Sequence, residues 1–274
     1  MRVGIHHASL GIVDWSKAFE LASGIGADGV VLSYHDRPAP GEDLREVDPV
    51  AYWSDPDRHR GLDIIGLYMR FLADTPSLIG PASRIAKAQD HIVQALSVAA
   101  RMKAGSVIIP FLGRNRIEFD RELERAAEAL REMVSEAERV NVPLSIQSTL
   151  NYEKMRYLID HTDDRYVKIC FDTAIATASR FDPAILIRSL GPAAISQVDF
   201  NDVRLAATMA PQFSVDLGQG EVDFDGVARA LWAMGYNGWV VVVTPPGDEA
   251  GDIARANLLF ARNVLRIEAA QSAS

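Results

Sequence analysis

The sequence predicts an α/β fold, a single (β/α)8 TIM barrel. Short apolar runs rich in β-branched residues alternate with longer amphipathic stretches along the whole chain, which is typical of parallel strands joined by crossover helices. Eight such units within 274 residues match the size of a closed barrel. A doubly wound open sheet would more often carry a glycine-rich phosphate turn after its first strand, and no such turn follows the first strand here.

The eight predicted strands are short and apolar. Residues 240–243 are four consecutive valines, and an all-apolar strand is expected where both faces of a parallel sheet are buried. The predicted strands are 3–6, 29–32, 64–68, 106–110, 143–147, 167–171, 195–199 and 239–244.

The helices between these strands are predicted from the spacing of apolar residues. In the clearest case, apolar residues recur every three or four positions from Phe119 to Ala137, and acidic residues occupy the first turn, where the helix dipole favours them. A second helix begins at Pro81, and a third ends at Gly235. Weaker patterns predict helices over 14–25, 152–161, 182–190 and 253–267.

Residues 36–60 do not follow this alternation. The segment is rich in Pro, Asp, Arg and Gly without a sustained period, which predicts a long loop after the second strand that serves as a lid or a substrate-binding insertion. No change of composition marks a linker elsewhere in the chain. We therefore expect one domain over residues 1–268 and a frayed tail over 269–274.

Composition narrows the classes of partner. With 28 basic and 37 acidic residues the net charge is -9, which argues against a nucleic-acid binder, because phosphate backbones are bound by clustered Lys and Arg. No apolar run reaches membrane-spanning length, and the N-terminus lacks the pattern of a signal peptide. The single cysteine, Cys170, excludes an internal disulfide framework. We expect a cytoplasmic protein that binds a small molecule and not a membrane; the sequence leaves a homo-oligomer open.

In a TIM barrel the chemistry takes place where the strands end and the βα loops begin. Polar residues stand at most of these positions in the predicted barrel. They are His6, His7, Tyr34, His35, Asp36, Tyr68, Arg70, Arg114, Gln147, Asp172, Asp199, Asn201, Asp202, Arg204 and Thr244.

Several segments resemble those of the xylose-isomerase-like barrels. They are GADGV at 26–30, VPLSIQ at 142–147, FDT at 171–173 and DLGQGEVDFDGV at 216–227. That group includes sugar and sugar-phosphate isomerases, ketose 3-epimerases, hydroxypyruvate isomerases and inosose dehydratases. The resemblance implies a divalent metal held by a glutamate on strand five, an aspartate on strand six, a histidine on strand seven and a glutamate on strand eight. It also implies that the two glutamates move protons between neighbouring carbons of the substrate.

Only part of that set is present at the matching positions. Gln147 and Val243 replace the two glutamates, Asp172 is retained, and Asp199 replaces the histidine. Neither Gln nor Val can take up or release a proton, so the usual acid-base pair is absent. Gln147, Asp172 and Asp199 still offer oxygen ligands for a weak Mg²⁺ or Mn²⁺ site.

Without the two glutamates, a proton carrier would have to come from His35, His7 or Asp202. Each has a structural alternative: a surface histidine for His35, a buried and hydrogen-bonded histidine for His7, and an ion pair with Arg204 for Asp202. Asp172 itself has the alternative role of a helix cap.

The predicted ligand contacts are polar or aromatic residues at the same strand ends. Gln147 and Asn201 would bind hydroxyl groups, and Trp53, in the predicted lid, would cover a sugar ring. Arg70, Arg114 and Arg204 would bind a carboxylate or phosphate, or else remain solvated and paired with nearby acids. The sequence thus predicts a sugar isomerase or epimerase-like protein whose ligand is a sugar, polyol or keto acid. The alternative is a non-catalytic sugar-binding or regulatory protein that retains the pocket.

Overall fold

The structure, a computed structural model, describes residues 1–12, 14–38, 43–163, 165–206, 210–213, 215–244 and 250–272. Eight strands follow one another in sequence order around a closed barrel, and the pairs β1–β2, β4–β5, β7–β8 and β1–β8 are parallel. The predicted (β/α)8 fold is confirmed. The strands are β1 (Arg2–His6), β2 (Gly29–Ser33), β3 (Asp63–Tyr68), β4 (Val107–Phe111), β5 (Leu144–Ser148), β6 (Val167–Asp172), β7 (Ile195–Phe200) and β8 (Trp239–Val242).

The helices agree with the predicted apolar spacing. The longer ones are α1 (Trp15–Gly24), α4 (Ala82–Arg101), α5 (Asp120–Val140), α6 (Tyr152–Asp160), α8 (Pro183–Leu190), α9 (Phe224–Ala233) and α10 (Ala250–Ser272). Helix α10 continues through residues 269–272, which were expected to be frayed, and residues 273–274 lie outside the described residues. No helix in the described ranges has both the length and the apolar character needed to cross a membrane.

Among the α-helices of the described residues, three short ones were not predicted. Two of them, α2 (Pro49–Ser54) and α3 (Pro56–His59), lie in the segment expected to be a loop, of which residues 39–42 are outside the described part. Each begins with a proline, and the Asp48 carboxylate accepts the backbone N–H of Val50 at 2.9 Å. The third, α7 (Thr173–Ala178), directly follows β6. At four to six residues, all three are too short for a helical period to be recognised.

The chain forms two compact units. One consists of residues 1–31, 60–63 and 171–274, and the other of residues 32–59 and 64–170. In the first unit, Phe200 of β7 packs on Phe224 of α9, which packs in turn on Phe260 of α10. In the second unit, the fully buried residues Ile92 and Leu96 of α4 and Leu130 of α5 belong to the core. A single domain over residues 1–268 stays a prediction.

Candidate functional site

Asp172 is the last residue of β6, and its side chain is buried, with the residue 6% exposed. One carboxylate oxygen, Oδ1, accepts the backbone N–H of Ile175 at 2.9 Å and so caps α7. The other, Oδ2, accepts the side-chain amide of Asn201 at 3.1 Å. Asp172 therefore has the capping role considered from the sequence, and it also contacts a second predicted site residue.

The burial of Asp172 has an electrostatic consequence. Loss of solvation raises the pKa of this carboxyl to about 6, although hydrogen bonds from Ile175, Asn201 and Ala174 act in the opposite direction. A carboxyl group with such a pKa is present in both protonation states near neutral pH. It can therefore give up or take up a proton there.

Thr173 connects the ends of β6 and β7. Its hydroxyl lies 2.6 Å from the backbone carbonyl of Asn201 and accepts the backbone N–H of the same residue at 3.1 Å. Thr173 is fully buried. These bonds fix the backbone of Asn201, and with it the amide that holds Asp172.

Asp199 lies on β7 beside Gln197, two residues earlier on the same strand face. The side-chain amide of Gln197 donates to Asp199 Oδ1 at 2.6 Å. Gln197 is 1% exposed, and its side-chain oxygen, Oε1, has no hydrogen-bond partner among the described residues. Gln197 was not among the predicted site residues, because it lies within a strand and not at its end. The only indication in the sequence was that a polar residue interrupts an otherwise apolar strand.

The two histidines at the end of β1, His6 and His7, are buried. His6 Nδ1 accepts the backbone N–H of Ala8 at 3.3 Å. Burial, together with the nearby His7, lowers the pKa of His6 to about 3, so its imidazole is neutral across the physiological range. His6 therefore offers a neutral imidazole rather than a positive charge.

Asp202 has a structural role in place of the predicted proton transfer. Its carboxylate accepts four backbone N–H groups, from Val203 and Val222 on Oδ1 and from Gly218 and Gly220 on Oδ2, at 2.8–3.2 Å. Four donors occupy the acceptor positions of a carboxylate. The predicted alternative, an ion pair with Arg204, is also not formed, because the Arg204 guanidinium donates to the carbonyl of Gln219.

In the second unit, the strand-end residues Tyr68 and Gln147 are in contact. The Tyr68 hydroxyl donates to Gln147 Oε1 at 3.0 Å, and Gln147 is 5% exposed. The sequence placed Tyr68 at a strand end but gave it no role. The pair presents an amide and a phenol that can bind a hydroxyl group.

The three arginines predicted to bind an anion lie at the surface. Arg70 and Arg114 are exposed; Arg70 lies 3.8 Å from Asp74, whereas Arg114 lines a groove to which Arg70 does not contribute. Arg204 is exposed as well, and so is His35, as the surface alternative for that histidine anticipated. Arg70 and Arg114 therefore do not form a common anion site.

Trp53 does not occupy the position predicted for it. Its ring packs against Tyr52 and His59, and Lys103 lies 5.0 Å from the ring centroid. Lys103 precedes β4, so Trp53 lies near the amino end of that strand, whereas a barrel binds its substrate at the carboxyl ends. The contacts favour a packing role for Trp53 over contact with a sugar ring.

The would-be metal ligands face hydrogen-bond donors. Asp172 and Asp199 accept N–H groups, and Gln147 accepts the Tyr68 hydroxyl. Within the described ranges, no three His, Cys, Asp or Glu side chains are grouped so as to hold a metal ion. A Mg²⁺ or Mn²⁺ site at Gln147, Asp172 and Asp199 stays a prediction.

Comparisons with known proteins agree with the fold. Residues 19–264 match the family model described as xylose isomerase-like TIM barrel. The chain superposes on L-ribulose 3-epimerase with a TM-score of 0.79 and 17% identity, covering 99% of this chain and 96% of the other. It superposes on D-psicose 3-epimerase from Clostridium cellulolyticum H10 with a TM-score of 0.75 and 17% identity, covering 97% and 99%.

A longer protein is also similar. It is a fusion of a xylose isomerase-like TIM barrel with 4-hydroxyphenylpyruvate dioxygenase, matched with a TM-score of 0.74 and 18% identity. The match covers 99% of this chain but 44% of the fusion protein. Among curated proteins, no sequence matches this chain.

Proposed function

Because the chain belongs to the xylose isomerase-like TIM barrel family, we propose that it acts on a small sugar, polyol or keto acid as an isomerase or epimerase-like enzyme. The ligand would bind at the carboxyl ends of the strands, where this fold places its chemistry. The similarity in fold to two sugar 3-epimerases supports the proposed class of ligand. The enzyme would work without the usual pair of glutamates, because Gln147 and Val243 occupy their positions.

The observation that carries this proposal is the buried carboxyl of Asp172. Its pKa of about 6 suits a group that removes a proton from a carbon beside a carbonyl and later returns it. In the proposed reaction the ionised carboxylate accepts this proton as the substrate becomes an enediolate. The carboxyl then returns the proton to the neighbouring carbon while the enediolate's hydroxyl proton passes from its own oxygen to the former carbonyl oxygen, which completes an isomerisation.

A single carboxyl group favours isomerisation over epimerisation. Epimerisation inverts one carbon, so a proton must leave one face and another must arrive on the opposite face, which needs two groups. Transfer between neighbouring carbons can take place on one face and needs one group. We therefore expect aldose–ketose isomerisation ahead of epimerisation.

Neighbouring residues would position the carboxyl group. Asn201 holds Asp172 through its side-chain amide, and Thr173 fixes the backbone of Asn201. Neither Asn201 nor Thr173 needs to titrate in order to perform this role.

The test is Asp172→Asn, assayed by NMR in D₂O against a panel of ketoses, aldoses and inositols. We expect turnover and solvent deuterium incorporation to fall about 100-fold or more, because general acid-base catalysis commonly contributes that much. In the wild type, kcat/KM should rise with pH through about 6, as Asp172 ionises. Asp225→Asn, on the exposed first turn of α9, is the matched control. Unchanged turnover in Asp172→Asn would show that the catalytic centre lies elsewhere.

The second candidate function is a non-catalytic sugar-binding or regulatory protein. It is favoured by the same substitutions, Gln147 and Val243, which remove two titratable groups without removing the buried polar contacts around Asp172. A sugar-induced rise in Tm without turnover or deuterium exchange would support this function. Parallel scans with Mg²⁺ and Mn²⁺ would show whether a metal is required for either response.

A further inference from the structure

We propose that the groove between the β3–α4 loop and the β4–α5 loop binds the phosphate group of a small molecule. The groove has a volume of about 490 Å³, and its lining includes Arg84, Arg114 and Arg116. All of it lies within the second unit. It contains none of the residues that surround Asp172, so the inference goes beyond the proposed function and is independent of it.

The two loops are held together by a buried side chain. Asn115, which is fully buried, accepts the backbone N–H of Leu78 at 2.9 Å and donates to the carbonyl of Pro110 at 3.1 Å. Gly113 has a φ of 56°, and a Cβ added there would lie 2.7 Å from the backbone oxygen of Ala73. Only glycine allows so close an approach in this conformation. Arg114 therefore projects from a rigid frame, which lowers the entropic cost of ordering it around a ligand.

The charges in the groove do not balance. Arg116 forms an ion pair with Glu118, and the Glu122 carboxylate accepts the backbone N–H groups of Glu118 and Phe119 at the start of α5. By contrast, neither Arg84 nor Arg114 has an ion pair or a hydrogen bond through its side chain to another residue in the described ranges. The lining thus carries three guanidinium groups against the two carboxylates of Glu118 and Glu122, and its net charge is positive.

Phosphate matches this arrangement in charge and in geometry. A phosphate monoester carries between one and two negative charges near neutral pH, and guanidinium groups bind its oxygens through paired N–H donors. Arg84 belongs to the first turn of helix α4, which is twenty residues long and has no side-chain cap at Pro81.

The proposal is tested by measuring phosphate binding to the full chain by calorimetry and by thermal shift, with chloride at equal ionic strength as the reference. Arg84→Gln and Arg114→Gln should each weaken the binding of inorganic phosphate about tenfold or more, because each removes a charge-assisted contact. Arg188→Gln, an exposed arginine on α8 that does not line the groove, should leave it unchanged. All three positions are exposed, so we expect the variants to fold.

Two outcomes would overturn the proposal: no binding of phosphate beyond that of chloride, or equal binding by the wild type and the Arg84→Gln/Arg114→Gln double variant. A second titration with glycerol phosphate identifies the source of the phosphate group. Tighter binding of the ester would assign the groove to a phosphorylated metabolite, and equal binding would assign it to free phosphate; both results support the site. Neither measurement depends on turnover, so failure here and failure of the proposed isomerase activity are separate results.

Discussion

Two buried titratable residues, His6 and Asp172, make stability depend on pH in opposite directions. The folded-state pKa of Asp172 is raised from 3.8 to about 6, so its contribution to stability is present below pH 3.8 and is lost as the pH rises through 6. The pKa of His6 is lowered from 6.5 to about 3. Its contribution is therefore present above pH 6.5 and is lost as the pH falls towards 3.

We expect His6→Asn to reduce the loss of stability in acid. The Asn side-chain oxygen can still accept the N–H of Ala8, but it does not titrate. Between pH 6.5 and pH 5, the free energy of unfolding of the wild type should fall by up to about 2 kcal/mol because of His6. The variant should not show this decrease. Urea unfolding at the two pH values measures this difference. The exposed His35→Asn is the control, and an identical pH dependence in wild type and His6→Asn would contradict the prediction.

The sequence predicted which residues lie at the strand ends better than it predicted their hydrogen-bond partners. The rule that catalytic side chains follow the strands led to Asp172 and Asn201, which are in contact in the structure. The same rule gave Asp202 a catalytic role, because the sequence does not show that four amides of a later loop meet its carboxylate. It also omitted Gln197, whose contact with Asp199 occurs inside a strand.

At the level of elements, the loop from Leu217 to Val222 is organised around Asp202. A Cβ at position 220 would lie 2.3 Å from Asp202 Oδ1, so glycine is required for the loop to approach the carboxylate. The loop is also held by Asn257 of α10, whose side-chain oxygen accepts the backbone N–H of Leu217 at 2.7 Å. The glycine-rich segment that resembled the family thus has a physical explanation in this fold.

Asp202→Asn should therefore destabilise the protein. One carboxylate oxygen would be replaced by an amide group that faces two backbone donors, which leaves buried N–H groups without an acceptor. We expect a loss of about 2–4 kcal/mol in the free energy of unfolding, measured by urea denaturation, with faster proteolysis within residues 217–222. Asp216→Asn serves as the comparison, because Asp216 directly precedes the loop and its carboxylate accepts the side-chain amide of Asn257. Equal stability of Asp202→Asn and the wild type would contradict the structural role.

At the level of the whole molecule, the barrel could be predicted because its signal is repeated. Eight buried strands each contribute an apolar run, so an error of one or two residues at any strand end leaves the count unchanged. The segment of α2 and α3 gives no such repetition, and its structure depends on local features such as Asp48 and Pro49. Contacts between distant side chains, such as that of Tyr68 with Gln147, depend on register and cannot be read from spacing.

The pairing of β1 with β8 affects when the barrel can close during synthesis. Arg2 is paired with Trp239 and Ile5 with Val242, so one edge of β1 has its partner more than 230 residues later in the chain. A nascent chain must therefore keep this edge unpaired until β8 has left the ribosome, and such high contact order slows folding. A chain truncated after Asn237 should leave β1 with an open edge and should aggregate or remain unfolded, as circular dichroism and sedimentation would show. A folded, monomeric truncated chain would contradict this expectation.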